Sequence, residues 1–280
     1  MLKPKTRVTF TFVRHGESTD NTRAVWAGWT DATLTRHGMN QAEAVAASLA
    51  DEVQFTAIHS SPLKRAYMTA QVVHNQQLSS LPVSTSPLLR EQHFGSAEGK
   101  PWTNQRDPNI PLAQQFKNGI YPTCLSRNEK FPNGESLAEV QIRACQVWED
   151  ILLPYVREAE ESDNHVHVAV VSHGIFIKEA VRALGRYDSN ADLTLLDHQS
   201  LRNTAWARVV IGSEDSGRDY PRGGNRSPLQ VQLTHFNVCG HLTDVRRQKG
   251  GIGREAYDPR QRDIRGFFVG RAEGRKSRGL

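Results

Sequence analysis

The 280-residue sequence predicts an α/β fold, a three-layer sandwich whose mostly parallel central sheet of about six strands carries helices on both faces. Two observations carry this reading. Stretches with the period-2 apolar alternation of strands give way repeatedly to stretches with the 3.6-residue periodicity of helices. Two polar clusters built on histidine, Arg14-His15-Gly16-Glu17 and Ser172-His173-Gly174, each follow a strand pattern directly. Sheets of this type bind ligands at the carboxyl ends of their strands, where both clusters fall.

In order along the chain, Val8, Phe10 and Phe12 alternate as a strand that runs into Arg14-His15. From Arg36 a helical stripe of Met39, Ala42, Val45, Ala46 and Leu49 follows, with Thr35 placed to cap it. Phe55 to His59 returns to strand. Ser61-Pro62 predicts the start of a helix to about Asn75, with Arg65 in its first turn. A short extended piece, Val83 to Thr85, precedes Leu89-Arg90-Glu91, and residues 101–134 read as an irregular insertion near the site. Ser136 and Glu139 have capping-box spacing ahead of the stripe Leu137, Val140, Ala144, Trp148 and Ile151, which Pro154 should kink or end. Val166 to Val171 is a strand, Ile175 to Leu184 a helix stopped at Gly185, and Ala205 to Ile211 and Leu229 to His235 are the last two strands.

No apolar run approaches the roughly 18 residues of a membrane span, and Val8 to Val13 is too short for a secretory core, so a cytoplasmic protein, with the nucleus as an alternative, is expected. Cys124, Cys145 and Cys239 are odd in number and widely spaced, which predicts neither a disulfide framework nor a zinc site, and Cys145 reads as a core thiol. The formal net charge of +5 is unevenly placed: residues 241–280 hold 11 basic and 5 acidic side chains, leaving 24 against 25 before them. The expected organisation is thus a near-neutral catalytic domain over 1–240 and a basic, flexible extension over 241–280. Nucleic acid is a candidate partner only through that extension.

Two strand-end histidines, two arginines placed just after strands and the carboxylate of Glu91 suit a phosphate monoester. Arginine matches phosphate oxygens bidentately, and a neutral imidazole can attack phosphorus. His165 and His167 lack a third ligand at metal spacing and read as ordinary strand residues, while Trp26, Trp29 and Trp102 read as packing residues before pocket walls.

The ordered motifs resemble the histidine phosphatase superfamily, also called phosphoglycerate mutase-like. They are Arg14-His15-Gly16-Glu17 with Asn21, Leu34-Thr35 with Gly38 and Gln41-Ala42, Ser60-Ser61-Pro62-Leu63-Lys64-Arg65-Ala66, Leu89-Arg90-Glu91 with Gly95 and Glu98-Gly99, Gly134-Glu135-Ser136, Val171-Ser172-His173-Gly174 and Asn203-Thr204. The resemblance implies that His15 is the nucleophile and forms a phosphohistidine. It also implies that Arg14, Arg65 and His173 hold the phosphoryl oxygens, that Asn21, Gly28 and Gly174 meet the substrate, and that Glu91 handles the proton of the leaving oxygen. No cofactor and no metal is implied. Mutases of the family usually follow the glutamate with Arg and carry an Arg-Arg pair downstream. Gln92 and the single basics Arg106, Lys117, Arg127 and Lys130 therefore weaken the mutase reading, while Glu91-Gln92-His93-Phe94-Gly95 with Glu98-Gly99-Lys100 and the terminal Val238-Cys239-Gly240-His241-Leu242 resemble the fructose-2,6-bisphosphatase type, which implies a phosphatase acting on a small phosphorylated metabolite. A phosphoglycerate mutase is the rival enzyme, and a non-catalytic anion-binding regulator the rival of another class.

Overall fold

The computed structural model describes residues 7–78, 81–162, 165–213, 229–249 and 251–260. A six-stranded sheet forms the middle layer: β1 (Arg7–Arg14), β2 (Ala57–Ser60), β3 (Val83–Thr85), β4 (Val166–Ser172), β5 (Trp206–Ser213) and β6 (Leu229–Val238), in the order β3-β2-β4-β1-β5-β6. The pairings β2·β3, β2·β4 and β1·β4 are parallel, and β1·β5 and β5·β6 antiparallel. The mostly parallel sheet expected from the sequence thus has an antiparallel edge.

Alternation along β1 divides the core. Phe10 and Phe12 face α4 (Leu137–Val147), α5 (Leu153–Ser162) and α6 (Gly174–Ala183), and Trp148 stands edge-on to Phe10 with ring centroids 5.1 Å apart. Val13 faces the other way, into the cluster formed with α1 (Arg36–Glu52) and α2 (Lys64–Asn75). No helix among the described residues is long and apolar enough to cross a membrane.

Local expectations meet the structure unevenly. The Thr35 hydroxyl accepts the Gly38 amide as cap of α1, and Ser136 with Glu139 completes a capping box at α4. Pro154 does not end its helix: a π turn over Trp148–Leu152 comes just before it, and α5 continues beyond. A π turn lets a residue without an N–H enter a continuous helix, because the ladder is already offset there. Helix α2 starts at Lys64 rather than at Pro62; the Ser61 hydroxyl accepts the Leu63 amide at 3.3 Å and also lies 2.8 Å from His173 Nε2. The insertion at 101–134 holds the short α3 (Leu112–Lys117) and gathers around Phe94, Phe131, Phe116, Tyr121 and Trp26, so Trp26 is a packing residue. Cys145 lies in the core as expected.

Residues 241–249 and 251–260 depart from the expected flexible extension. The Arg36 amide donates to the Glu255 carbonyl at 3.0 Å, the Tyr257 amide to the Leu34 carbonyl at 2.9 Å, and Tyr257 packs on Leu34, Met39 and Ala42. Paired backbone and one apolar anchor hold a charged segment that composition alone marks as solvated. The rest of the basic extension, 261–280, lies outside the described residues.

Candidate active site

Strands β1 and β4 run side by side and parallel, with Arg14 opposite Ser172, so their carboxyl ends deliver His15 and His173 together. The His15 amide donates to the Ser172 carbonyl at 2.9 Å, and the two imidazole centroids lie 5.1 Å apart. His15 is 3% exposed and His173 is fully buried. Arg65, in the first turn of α2, is 1% exposed, and its two terminal nitrogens donate to the carbonyls of Thr30 at 2.8 Å and Gly28 at 2.7 Å.

The protonation of His15 follows from its surroundings. Its Nδ1 lies 2.6 Å from the Gly16 carbonyl, which can only accept, so Nδ1 carries the proton and Nε2 keeps the free lone pair. Burial first, then the positive charges of Arg65 and Arg14, hold its pKa well below the ordinary histidine value. Those arginines pay for their position, because burial also lowers the pKa of each, and Glu91 partly restores it. The result is a neutral imidazole in a cationic surround, the state a phosphorus nucleophile requires.

His173 is held from the opposite side. Its Nε2 lies 2.8 Å from the Ser61 hydroxyl, and its pKa is also pushed well below normal, by burial first and then by Arg65, His15 and Arg14. When the Ser61 hydroxyl donates to Nε2, the His173 proton lies on Nδ1. His173 Nδ1 and Arg14 Nε are both buried and find no partner among the described residues. Buried donors left unpaired are costly, and an anion placed between them would satisfy both.

Glu91 reaches the site from the loop after β3. Its Oε1 accepts the amides of Gln92 and Phe176, each at 3.0 Å, and its Oε2 accepts the Ile175 amide at 3.2 Å, so α6 holds the carboxylate at its N-terminus. Arg143 supports the same loop from α4, donating to the carbonyls of Leu88, Arg90 and Glu91 and to the Glu135 carboxylate.

The sequence-predicted residues Arg14, His15, Arg65, Glu91 and His173 thus come together. Asn21 lies at the rim, its Oδ1 accepting the Ser18 amide at 3.1 Å and the Asn203 side chain at 3.2 Å. Gly28 enters through its carbonyl on Arg65; its φ of +50° and the Glu98 carboxylate, 2.2 Å from where a Cβ would stand, leave room for glycine only. Gly174 opens α6 beside the Arg14 guanidinium. Sequence reasoning passed over Ser61, Arg143 and Trp29 as site residues. Ser61 beside Pro62 reads as a cap; only the spatial partner on β4 reveals its second role. Trp29 lies between the Arg90 guanidinium, 3.4 Å from its ring centroid, and the stacked His93 ring at 4.4 Å. Trp102 is 45% exposed. His165 precedes β4 and is exposed, whereas His167 is buried against Thr11; no group of three or more His, Cys, Asp or Glu among the described residues could hold a metal ion.

Comparison with known proteins agrees with this geometry. A 2,3-bisphosphoglycerate-dependent phosphoglycerate mutase of Latilactobacillus sakei is 28% identical over 197 residues, covering 64% of this chain and 80% of the mutase. A probable phosphatase of Schizosaccharomyces pombe is 29% identical over 268 residues, covering 93% of this chain and 80% of its own length. Among solved structures, phosphoserine phosphatase of Entamoeba histolytica, with 3-phosphoglyceric acid bound, superposes with a TM-score of 0.55 at 25% identity over 84% of this chain and 99% of that one. A mycobacterial glucosyl-3-phosphoglycerate phosphatase shares the fold with a TM-score of 0.59 at 21% identity, over 81% and 98% of the two chains. The family model for branch 1 of the histidine phosphatases matches residues 10–216, and with the paired histidines and arginines of that span in place, the chain belongs to the histidine phosphatase superfamily.

Proposed function

We propose that the protein is a metal-independent phosphatase that hydrolyses a small phosphorylated metabolite, of the sugar phosphate or phosphoglycerate class, through a phosphohistidine on His15. The observation that carries this reading is the buried, neutral His15, with its Nε2 lone pair free, beside Arg14, Arg65 and His173. His15 Nε2 attacks phosphorus while the bond to the leaving oxygen breaks, and Glu91 delivers the proton which that oxygen needs. Water then attacks the phosphohistidine, Glu91 takes the water's proton, and inorganic phosphate departs. Positioned cationic donors supply most of the stabilisation such a transfer requires.

Hydrolysis is favoured over mutase chemistry by the commitments of nearby polar groups. The Gln92 side chain turns inward to donate to the Glu135 carbonyl at 2.6 Å. In the insertion, Arg106 pairs with Glu129, Arg127 with Glu179 and Lys130 with Glu139. Three of the four cations that could grip a substrate carboxylate are therefore spent on the fold.

The test is release of inorganic phosphate from p-nitrophenyl phosphate and a panel of sugar phosphates and phosphoglycerates, with and without EDTA, for the wild type and His15→Ala. Release that persists in EDTA and vanishes in His15→Ala supports the proposal. Loss in EDTA, or full activity in His15→Ala, overturns it. Isomerisation of 3-phosphoglycerate without net release would favour the mutase.

A further inference from the structure

The first residues after the nucleophile and a segment more than 200 residues later are tied together at one carboxylate. Glu17 is almost buried, yet its Oε1 accepts from the Arg247 Nη1 at 2.7 Å and from the Thr35 hydroxyl at 2.8 Å, while Arg247 Nη2 binds Oε2. Burial pushes the Glu17 carboxyl up, and the bonds from Arg247 and Thr35 outweigh it and hold the group below its ordinary value. A bidentate arginine fixes a carboxylate in plane as well as in position.

That carboxylate belongs to the peptide unit that orients His15. The Gly16 carbonyl accepts His15 Nδ1, and the N–H of the same peptide plane, that of Glu17, donates to Gln41 Oε1 at 2.9 Å. The Gly16 amide binds the Thr69 hydroxyl at 3.1 Å, and the Glu17 carbonyl accepts the Thr35 amide at 2.8 Å. On the α1 side, a Cβ on Gly38 would stand 2.8 Å from the Glu17 nitrogen of that plane, so α1 leaves the plane little room to turn. The segment carrying Arg247 also reaches the other flank of His15. His241 Nε2 lies 3.1 Å from the Thr204 hydroxyl, and the Thr204 amide donates to the carbonyls of Arg14 and His15. The phosphate cradle itself, Arg14, Arg65 and His173, has no bond to Arg247.

We propose that residues 239–249 and 251–258 form a brace for the nucleophile, in which Arg247 is a positioning residue that fixes the Gly16–Glu17 peptide plane and, through it, the His15 imidazole. The proposal rests on the phosphohistidine reading for its kinetic consequence but not for its structural one. A brace on the nucleophile that leaves the cradle untouched separates rate from anion binding. Small displacements of reacting atoms are costly, up to about a hundredfold for roughly 1 Å.

The experiment compares Arg247→Ala, Arg247→Lys and the exposed neighbour Arg246→Ala in the full chain. It measures the single-turnover rate of phosphorylation by p-nitrophenyl phosphate, inhibition by inorganic phosphate, and amide hydrogen exchange over residues 15–21. Arg247→Ala is expected to slow phosphorylation by about tenfold while phosphate inhibition changes by less than about twofold, with faster exchange at Gly16 to Ser18. Arg247→Lys should recover part of the rate, and Arg246→Ala should match the wild type. Wild-type phosphorylation in Arg247→Ala, or unchanged exchange at Gly16 to Ser18, overturns the brace. If the wild type releases no phosphate from any ester, the proposed function fails, and the exchange measurement alone decides whether the brace stands.

Discussion

The indole N–H of Trp29 donates to the backbone carbonyl of Glu91 at 2.7 Å. The same loop supplies the carbonyls of Gly28 and Thr30 that hold Arg65, so a single turn of chain links the arginine to the carboxylate across the pocket. Trp29→Phe keeps the aromatic packing against Arg90 and His93 and removes only the N–H. The Glu91 carbonyl retains its bond from Arg143, which limits the stability loss to about 1 kcal/mol. Phosphatase turnover should fall by about tenfold, measured against the urea midpoint of the same variant. A loss of stability without a loss of turnover would remove the link between the two groups.

Glu91→Gln separates its proton-transfer role from its place in the fold, because the amide oxygen can still accept a backbone N–H at the start of α6. Alkyl phosphates, whose leaving oxygen needs a proton, should slow by about a hundredfold or more, whereas p-nitrophenyl phosphate should slow by less than about tenfold. Equal slowing on both substrates would take Glu91 out of the donor role.

The acid limb of kcat/KM tests the electrostatics of His15. A histidine of ordinary pKa would lose its free base near pH 6.5, but burial, Arg65 and Arg14 hold His15 well below that value. Once corrected for the ionisation of the substrate, the profile should stay level through pH 6.5 and fall only at clearly lower pH. Arg65→Gln removes one of the depressing charges and should move the limb upward, toward neutrality, in whatever activity remains.

His167 makes a different prediction, about stability. Buried between Thr11 and the Arg208 charge, it titrates near 4 when folded, chiefly because of burial, against 6.5 for an unperturbed histidine. Below about pH 6.5 the unfolded chain takes up a proton that the folded chain refuses, so stability falls with pH and ceases to fall for this reason once pH passes about 4. The span of the shift allows a loss of roughly 3 kcal/mol. His167→Gln should flatten the slope of unfolding free energy between about pH 6.5 and 4. An unchanged slope would show that other groups carry it.

What could be read in advance depended on how local its cause was. The strand entering Arg14-His15, the Thr35 cap of α1 and the capping box at Ser136 are set by neighbours within four residues, and each appears where the pattern places it. Ser61 was legible only as a helix start, since its partner His173 lies 112 residues away, just past the end of another strand. Arg143 sits on α4 among apolar positions, and nothing in helical periodicity announces that it will hold three carbonyls of the loop after β3. The docked part of the basic extension was hidden for the opposite reason. Its composition is that of a solvated segment, and its hold on the domain comes from backbone pairing, a single arginine and the one apolar anchor Tyr257.

The distance between Glu17 and Arg247, 230 residues along the chain, bears on how the protein is made. During synthesis from the N-terminus, the loop carrying His15 leaves the ribosome well before its arginine partner, 230 residues further on. Contacts of such long sequence separation carry a large closure cost and form late in folding. A chain cut short before Arg247 could still build β1, β4 and the sheet between the helices, yet it would lack the ion pair that holds the peptide after its nucleophile. A later-made segment thus completes the surroundings of an earlier one.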